Sequence, residues 1–168
     1  GDLPLVAEDL GHITPDVHDL RRSLAMPGMR VLQFAFDGSP DNPHLPGRHE
    51  PDCAVYTGTH DNDTVRGWFD ALDEGTRRRV LEETGGTPET VSWDLIRAAY
   101  GSVGFLAVAP LQDVLGLGGE ARFNVPGVAE GNWTWRAEAE ALRPETALRL
   151  AALAREASRG PAAGPSRS

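Results

Sequence analysis

One short stretch, residues 56–64 (YTGTHDNDT), most constrains what this chain can fold into. An apolar, β-prone run over residues 54–57 leads into it, and a helix-like pattern begins directly after it at Val65. A strand that ends in polar side chains and passes at once into a helix is typical of the carboxyl end of a β-strand in an α/β fold. The stretch therefore predicts a ligand site at a strand end, with His60 and Asp61 facing the ligand.

Composition excludes several classes of function. The chain has 168 residues and a net charge of −9 at pH 7, and an acidic surface repels the phosphates of nucleic acid. All 16 basic residues are arginine, so Schiff-base lysine chemistry and the lysine of a phosphate-binding loop are excluded. The single cysteine, Cys53, can form no internal disulfide. No apolar run is long enough to cross a membrane. We expect a cytoplasmic protein with no nucleic-acid or membrane partner.

The order of apolar runs predicts a mostly parallel sheet. Four runs have the character of strands, namely residues 3–7, 29–36, 54–57 and 104–109. The predicted helices begin at Pro15 after an N-cap at Thr14, at a cap on Asn62 or Asp63, at residue 73, at residue 87 and at Pro144. The spacing predicts one helical face from Val17, Leu20, Arg21 and Leu24, and an inner face from Val91, Leu95, Ile96 and Ala99. Between the second and third strands, residues 39–52 form a long loop, and such loops are often functional.

Strands that alternate with helices pair in parallel, and their polar ends lie on one edge of the sheet. A (β/α)8 barrel places its active site on that edge and needs eight strands over roughly 250 residues. Four strands predict half of a (β/α)8 barrel over residues 1–159. A Pro/Gly/Ser-rich tail, residues 160–168, is expected to be disordered.

Two acidic residues stand at the ends of predicted strands. Glu8 follows the first run, where a carboxyl group against apolar walls could act as a general acid/base; alternatively it is a loop carboxylate that caps the next helix. Asp61 ends the third run, and glycoside chemistry uses a pair of carboxylates on two strand ends. His60 could donate a hydrogen bond to a sugar hydroxyl. Two alternatives stay open for this stretch: a metal site of His60, Asp61 and Asp63, and helix capping by Asn62 or Asp63.

Two further patterns have ordinary structural explanations. Residues 116–121 (GLGGEA) match a G-x-G-x-x-A dinucleotide pattern by letter, but a helical turn precedes them instead of a strand, so we expect a flexible loop. Trp68 and Trp93 lie on apolar helix faces and are predicted core residues. Trp133 and Trp135 share one side of a predicted extended segment, where they are either packed residues or platforms for sugar rings.

A series of motifs resembles the 4-α-glucanotransferase family, the amylomaltases or disproportionating enzymes. In order along the chain they are residues 7–11 (AEDLG), 27–36 (PGMRVLQFAF), 56–64 (YTGTHDNDT), 110–118 (PLQDVLGLG), 122–127 (RFNVPG) and 132–136 (NWTWR). Together they cover nearly the whole chain up to about Arg136. The ordered set is specific, whereas no single motif would be.

The resemblance implies a retaining α-glucan enzyme on an α-amylase-like barrel, of which this chain would form the C-terminal half. By the family pattern, Glu8 is the general acid/base, and Asp61 is the carboxylate that holds substrate hydroxyls and favours the oxocarbenium-like transition state. His60 and Asn124 bind substrate, and Phe34 packs at the acceptor side. The family's nucleophilic aspartate lies upstream of the first motif, so the resemblance places it outside this chain, in the N-terminal remainder of the barrel.

These inferences combine into one expectation with two alternatives. We expect a fragment of a 4-α-glucanotransferase that moves α-1,4-glucan segments to glucose or oligosaccharide acceptors, with no metal or cofactor. Its partners would be an α-1,4-glucan or maltooligosaccharide and the N-terminal remainder of the barrel, and the chain alone would be inactive. The alternatives are a non-catalytic half-barrel that assembles with a separate N-terminal half, and an amylase-like α-glucan hydrolase.

Overall fold

The computed structural model of the chain describes residues 4–159, so the predicted disordered tail lies outside the described residues. The chain divides into two units, Gly1–Trp135 and Arg136–Ser168. The first unit contains the sheet, the hydrophobic core and all five predicted site residues. In the second unit, the described residues form a short 3-10 helix, Ala139–Ala141, and one long α-helix.

The sheet of the first unit has three parallel strands in the order β1-β2-β3: β1 (Gly28–Val31), β2 (Cys53–Tyr56) and β3 (Leu106–Val108). In register, Gly28 pairs with Cys53, and Ala54 pairs with Leu106. The parallel arrangement and the α/β class agree with the prediction.

The prediction of four strands is wrong for the described residues, because the first apolar run does not form one. Its Ala7 amide donates to the Pro27 carbonyl at 2.8 Å, which brings the segment alongside β1. The next donor on that edge, the Met29 amide, bonds the Asp9 side chain at 2.7 Å and not a main-chain carbonyl. A carboxylate therefore ends the ladder after one bond.

Residues 4–159 contain six α-helices. They are α1 (Pro15–Ser23), α2 (Val65–Ala71), α3 (Glu74–Thr84), α4 (Val91–Gly101), α5 (Leu111–Val114) and, in the second unit, α6 (Pro144–Glu156). Pro15 and Pro144 begin their helices as predicted, since proline fits the first helical turn. Single 3-10 turns lie at Leu32–Phe34 directly after β1, at Pro46–Arg48, and at Gly119–Ala121 after α5.

The N-cap of α2 differs from the prediction. Thr64 is the cap, and its hydroxyl accepts from the Gly67 amide at 3.0 Å. Asn62 is engaged one turn earlier, where its side-chain oxygen accepts from the Thr59 amide at 2.8 Å. Asp63 bonds the Thr64 amide at 2.7 Å. Both predicted caps thus stabilise the loop before the helix, and this leaves the capping position to Thr64.

The hydrophobic core lies between the sheet and helices α2, α3 and α4. It is formed by buried residues of these elements and of the turn after β1, namely Leu32, Ala35, Phe36, Cys53, Val55, Val65, Phe69, Val80, Val91, Leu95 and Ala99. The predicted inner face of α4 is confirmed, because Val91, Leu95, Ile96 and Ala99 are fully buried. Trp68 packs against this core, as predicted.

The predicted face of α1, formed by Val17, Leu20, Arg21 and Leu24, is buried only at Arg21. Val17, Leu20 and Leu24 are 44%, 59% and 59% exposed, whereas Arg21 is buried. The charge of Arg21 explains this burial, since its guanidinium lies 3.4 Å from the Asp9 carboxylate and donates to the Met26 carbonyl at 2.6 Å. The ion pair between Arg21 and Asp9 therefore determines the orientation of α1 more than its apolar side chains do.

Candidate functional site

Strand β2 delivers Asp61 to the carboxyl edge of the sheet. The ladder extends one residue past β2, because the Thr57 amide donates to the Val108 carbonyl of β3 at 3.2 Å. The chain then turns through residues 58–63. Gln33, from the turn after β1, fixes this loop by donating to the Asp63 carbonyl at 2.9 Å. Neighbouring strands therefore position the loop that presents His60 and Asp61.

Three groups contact Asp61. The Asn124 side-chain amide donates to Asp61 Oδ1 at 2.6 Å. His60 Nε2 lies 3.3 Å from the same oxygen. Arg122 donates to the Asp61 main-chain carbonyl at 2.8 Å. The side chains of His60 and Asp61 are about half exposed, so the pair is held in place while it still faces solvent. Asp61, His60 and Asn124, three of the predicted site residues, thus form one cluster.

A tight turn within the motif at residues 132–136 lies next to this cluster and supports it. The predicted extended segment is wrong here, since Trp133 has a left-handed backbone with φ of 60°. The Asn132 side chain accepts from the Val125 amide at 2.9 Å and donates to the Val128 carbonyl at 2.8 Å. These side-chain bonds hold the turn closed, and they satisfy backbone groups that a strand would have paired.

The Trp133 ring packs next to the cluster. Its centroid lies 5.3 Å from that of His60 and 4.7 Å from that of Phe123, the latter in an edge-to-face arrangement. Such pairs are favourable beyond their buried area. Trp133 is therefore a packing residue on the outer side of His60, with half of its surface exposed.

Glu8 lies on the segment that runs beside β1. Its Oε1 accepts from the Leu10 amide at 3.1 Å, and the residue is exposed. The main-chain bond of Ala7 and the side-chain bond of Asp9 flank it on both sides. The carboxylate thus sits on a short loop anchored at both ends, and it does not cap α1, whose N-cap Thr14 has no side-chain cap bond.

One cleft of about 1170 Å³ lies between the Glu8 loop and the loop that carries His60 and Asp61. Glu8, Phe34, His60 and Asp61 all line it, together with Met29, Tyr56, Val108 and the loop residues Asp37, Ser39, Asp41, Asn42, Pro43 and His44. Asn124 reaches the same site through its bond to Asp61. The structure therefore brings together all five residues that the sequence singled out, and it adds the long loop of residues 39–52 as one wall.

Sequence reasoning missed Asp113, which connects the two elements on either side of the His60–Asp61 loop. The carboxylate is fully buried, accepts from the Thr57 hydroxyl at 2.6 Å and from the Val65 amide at 2.7 Å, and so ties the end of β2 to the start of α2. Burial raises the pKa of Asp113, and these two hydrogen bonds act against that rise. No local signal marked Asp113, because it follows the polar Gln112 on a short helix and its two partners lie 56 and 48 residues earlier in the chain.

The metal-site hypothesis fails on geometry. Asp63 Oδ1 accepts from the Thr64 amide at 2.7 Å. Over residues 4–159, no group of three His, Cys, Asp or Glu side chains is placed to hold a metal ion. The dinucleotide pattern at residues 116–121 lacks its context as well, since it follows the helical turn α5 and forms a 3-10 turn.

The fold and the cleft define an α/β protein whose carboxylate-bearing site lies at the carboxyl ends of parallel strands. More particularly, the chain belongs to the 4-alpha-glucanotransferase family, whose model matches residues 1–141. It is 51% identical over 137 residues to the chloroplastic/amyloplastic 4-alpha-glucanotransferase DPE1 of Arabidopsis thaliana, a match that covers 81% of this chain and 24% of the relative. It is 48% identical over 162 residues to the 4-alpha-glucanotransferase of Thermus thermophilus, covering 92% and 32%.

A solved structure supports the fold assignment. The amylomaltase from Streptococcus agalactiae in complex with acarbose superposes with a TM-score of 0.92 at 29% identity, over 96% of this chain and 33% of that protein. The chain thus spans about a quarter to a third of the length of the relatives it matches. The predicted family is confirmed.

The comparisons do not assign a compartment. No helix in the described part of the chain is long and apolar enough to cross a membrane. The Arabidopsis relative is chloroplastic/amyloplastic by name, and the name of the Thermus relative gives no compartment. The cytoplasmic location stays a prediction.

Proposed function

We propose that this chain supplies the acid/base and the transition-state-stabilising carboxylate of a retaining 4-α-glucanotransferase, which transfers α-1,4-glucan segments to glucose or oligosaccharide acceptors. The observation that carries the proposal is that Glu8 and Asp61, from two separate segments at the sheet edge, line one cleft with His60 and Phe34. Family membership supports the reaction class.

The proposed architecture is the C-terminal half of a (β/α)8 barrel. Three parallel strands with their helices, and a cleft at the carboxyl edge, are compatible with such a half. The family pattern puts the nucleophilic aspartate upstream of Ala7, on a part of the whole protein that this chain does not include. Glu8 is then the second carboxylate of the retaining pair.

In the proposed first step, the nucleophile attacks the anomeric carbon of the donor glucan, and Glu8 gives its proton to the departing glycosidic oxygen. The donor is then held as a glycosyl–aspartate ester. In the second step, Glu8 takes the proton of an acceptor hydroxyl as that oxygen attacks the anomeric carbon and releases the aspartate. The acceptor is a sugar and not water, so transfer depends on water exclusion.

Asp61 would stabilise the transition state through substrate hydroxyls. Asn124 and His60 both contact its Oδ1, which leaves Oδ2 to accept from a sugar. Hydrogen bonds that strengthen as positive charge develops on the sugar ring favour the transition state over the bound substrate. Phe34, exposed at the cleft, would offer an apolar face to the acceptor.

Substitution of Glu8 tests this proposal in the whole protein that contains the chain. The Glu8→Gln variant keeps the side-chain shape and loses the transferable proton, so maltotriose disproportionation should fall by about 10²- to 10⁴-fold. Glu82→Gln on α3, an exposed residue in a surface ion pair with Arg78, is the matched control and should keep wild-type turnover. Full activity of Glu8→Gln would refute the acid/base role.

The products separate transfer from hydrolysis. A transferase converts maltotriose to glucose and to glucans longer than maltotriose, whereas an amylase-like hydrolase gives only shorter sugars. We also propose that the 168 residues alone do not disproportionate maltotriose, since the proposed nucleophile lies elsewhere in the protein. Turnover by the isolated polypeptide would contradict this part and would leave the assignment of Glu8 standing.

A further inference from the structure

A buried cluster of charges lies directly beside Glu8. The Asp9 side chain is 3% exposed and lies 3.4 Å from Arg21 Nε and 3.7 Å from Arg30. Its Oδ1 accepts from the Met29 amide of β1 at 2.7 Å. The carboxylate also occupies the space where a Cβ on Gly28 would stand, so a side chain at that position is excluded. Glucan transfer as described above uses none of these groups.

The cluster is poorly built for stability alone. Asp9 Oδ2, Arg21 Nε and Arg30 Nε are buried, and each lacks a hydrogen-bond partner in the described part of the chain. A buried ion pair offsets its desolvation cost only when the remaining polar atoms are hydrogen-bonded. These three side chains therefore interact with one another mainly through their opposite charges and not through hydrogen bonds.

We infer that Asp9 is a positioning residue for Glu8: it fixes the Glu8 loop against β1 and offsets the positive charge of Arg21 and Arg30 beside the acid/base. The inference rests on the proposed function of Glu8. The buried part of the cluster, two guanidinium groups and one carboxylate, carries one net positive charge, and two acidic partners lie at its solvent side. Its outer partners are more exposed, since Asp52, 3.4 Å from Arg21, is 53% exposed, and Glu50, 4.0 Å from Arg30, is 49% exposed.

The charge of Asp9 matters because Glu8 must be protonated before it can give its proton to the departing glycosidic oxygen. Without the charge of Asp9, both buried guanidinium groups would lack a buried counter-ion, which would favour ionised Glu8, and the acid form would then be lost at a lower pH. Several other ionisable groups face Glu8 across the cleft and stay unchanged in the test below: Asp37, Asp41, His44, Tyr56, His60 and Asp61.

The test is the pH dependence of kcat/KM for maltotriose in the whole protein. Asp9→Asn keeps an oxygen for the Met29 amide and removes the charge. Its alkaline limb should move to lower pH by about half a unit to one unit, as expected for one charge within about 10 Å. Arg30→Gln removes a positive charge from the same cluster, so its limb should move the opposite way.

Asp52→Asn is the matched control, since it neutralises a more exposed carboxylate of the same cluster and should leave the limb in place. Thermal midpoints of all variants identify effects on folding, which lower the amount of active enzyme without moving the limb. Unmoved limbs in Asp9→Asn and Arg30→Gln would overturn the inference, and Arg30→Gln decides alone if Asp9→Asn does not fold. Failure of the proposed function is distinct, because Glu8→Gln would then remain active.

Discussion

His44 shows how single side chains shape the wall of the cleft. Its Nδ1 accepts from the Val31 amide at the end of β1 at 3.1 Å, so the ring must be neutral at this nitrogen. Burial, and next the charge of Arg30, lower the pKa of His44 to about 4. His49 anchors the same loop, with one ring nitrogen 2.7 Å from the Ser102 hydroxyl. Burial lowers the pKa of His49 too.

The stability of the protein should therefore decrease in mild acid. Below pH 6.5 the unfolded chain binds a proton at His44, whereas the folded ring stays neutral down to about pH 4. The free energy of unfolding should fall as pH falls through this window. Urea unfolding at pH 7 and pH 5 measures it, before most carboxylates titrate.

The His44→Gln variant checks the cause, because glutamine can accept from the Val31 amide without titrating. Its unfolding free energy should change less between pH 7 and pH 5 than that of the wild type. His12→Gln, at an exposed histidine, should keep the wild-type dependence. An equal pH dependence in His44→Gln and wild type would count against the assignment.

At this scale, the sequence identified the residues that face the cleft better than those that hold them. Glu8 and Asp61 follow apolar runs, a local pattern that predicts strand ends. Asp9 and Asp113 are buried by contacts with residues 20 to 56 positions away, which no local pattern encodes. The left-handed backbone of Trp133 was equally hidden, since large side chains rarely adopt it.

Among the elements, α2 depends on the close approach of a loop. A Cβ on Gly67 would lie 2.7 Å from the backbone of Gly119 and 2.6 Å from Asp63 Oδ1. Backbone atoms cannot yield as a flexible side chain can. The 3-10 turn Gly119–Ala121 is therefore seated on α2 only because residue 67 has no side chain.

Two alanine substitutions in helices should consequently have opposite effects. Gly67→Ala should destabilise the protein by about 1–3 kcal/mol, since it overpacks a site with no room. Gly101→Ala, in the last turn of α4 with nothing within 4 Å of its Cβ, should stabilise by about 0.4–1 kcal/mol. Chemical denaturation of both variants measures the difference, and equal effects would contradict the packing argument.

The periodicity of α4 was sufficient to predict its buried face, because apolar packing alone orients that helix. The same reasoning failed for α1, where a buried ion pair turned Arg21 inward. The first apolar run failed as a strand for a related reason, since the Asp9 side chain replaced a main-chain acceptor. The hydrophobic pattern thus fails for two elements that border the charged cluster, α1 and the first apolar run.

At the scale of the whole molecule, many of the exposed apolar residues lie near the edges of the sheet or near α1. They include Leu5 and Val6 beside β1, Leu20 on α1 and Leu24 directly after it, and Phe105 and Leu106 where β3 begins. Both faces of a parallel sheet are normally covered. Among the described residues, β1 and β3 also each pair with one strand only.

A polypeptide of these 168 residues should therefore self-associate. Exposed leucines on α1 and unpaired strand edges favour contacts between copies. Light scattering across a concentration series should show rising mass, and the double variant Leu20→Glu/Leu24→Glu should reduce it. Val128→Glu, at a similarly exposed residue on the loop after α5, is the control. A concentration-independent monomer would refute the expectation.

The buried carboxylate of Asp113 has a consequence for biosynthesis. The Thr57 hydroxyl that it accepts from lies 56 residues earlier in the chain. At about 5–20 residues per second, a ribosome needs about 3 to 11 s to extend the chain from one to the other. During that interval the end of β2 and the first turn of α2 lack their shared acceptor. The loop that carries His60 and Asp61 can therefore reach its final structure only after Asp113 has been synthesised, several seconds after the loop's own residues.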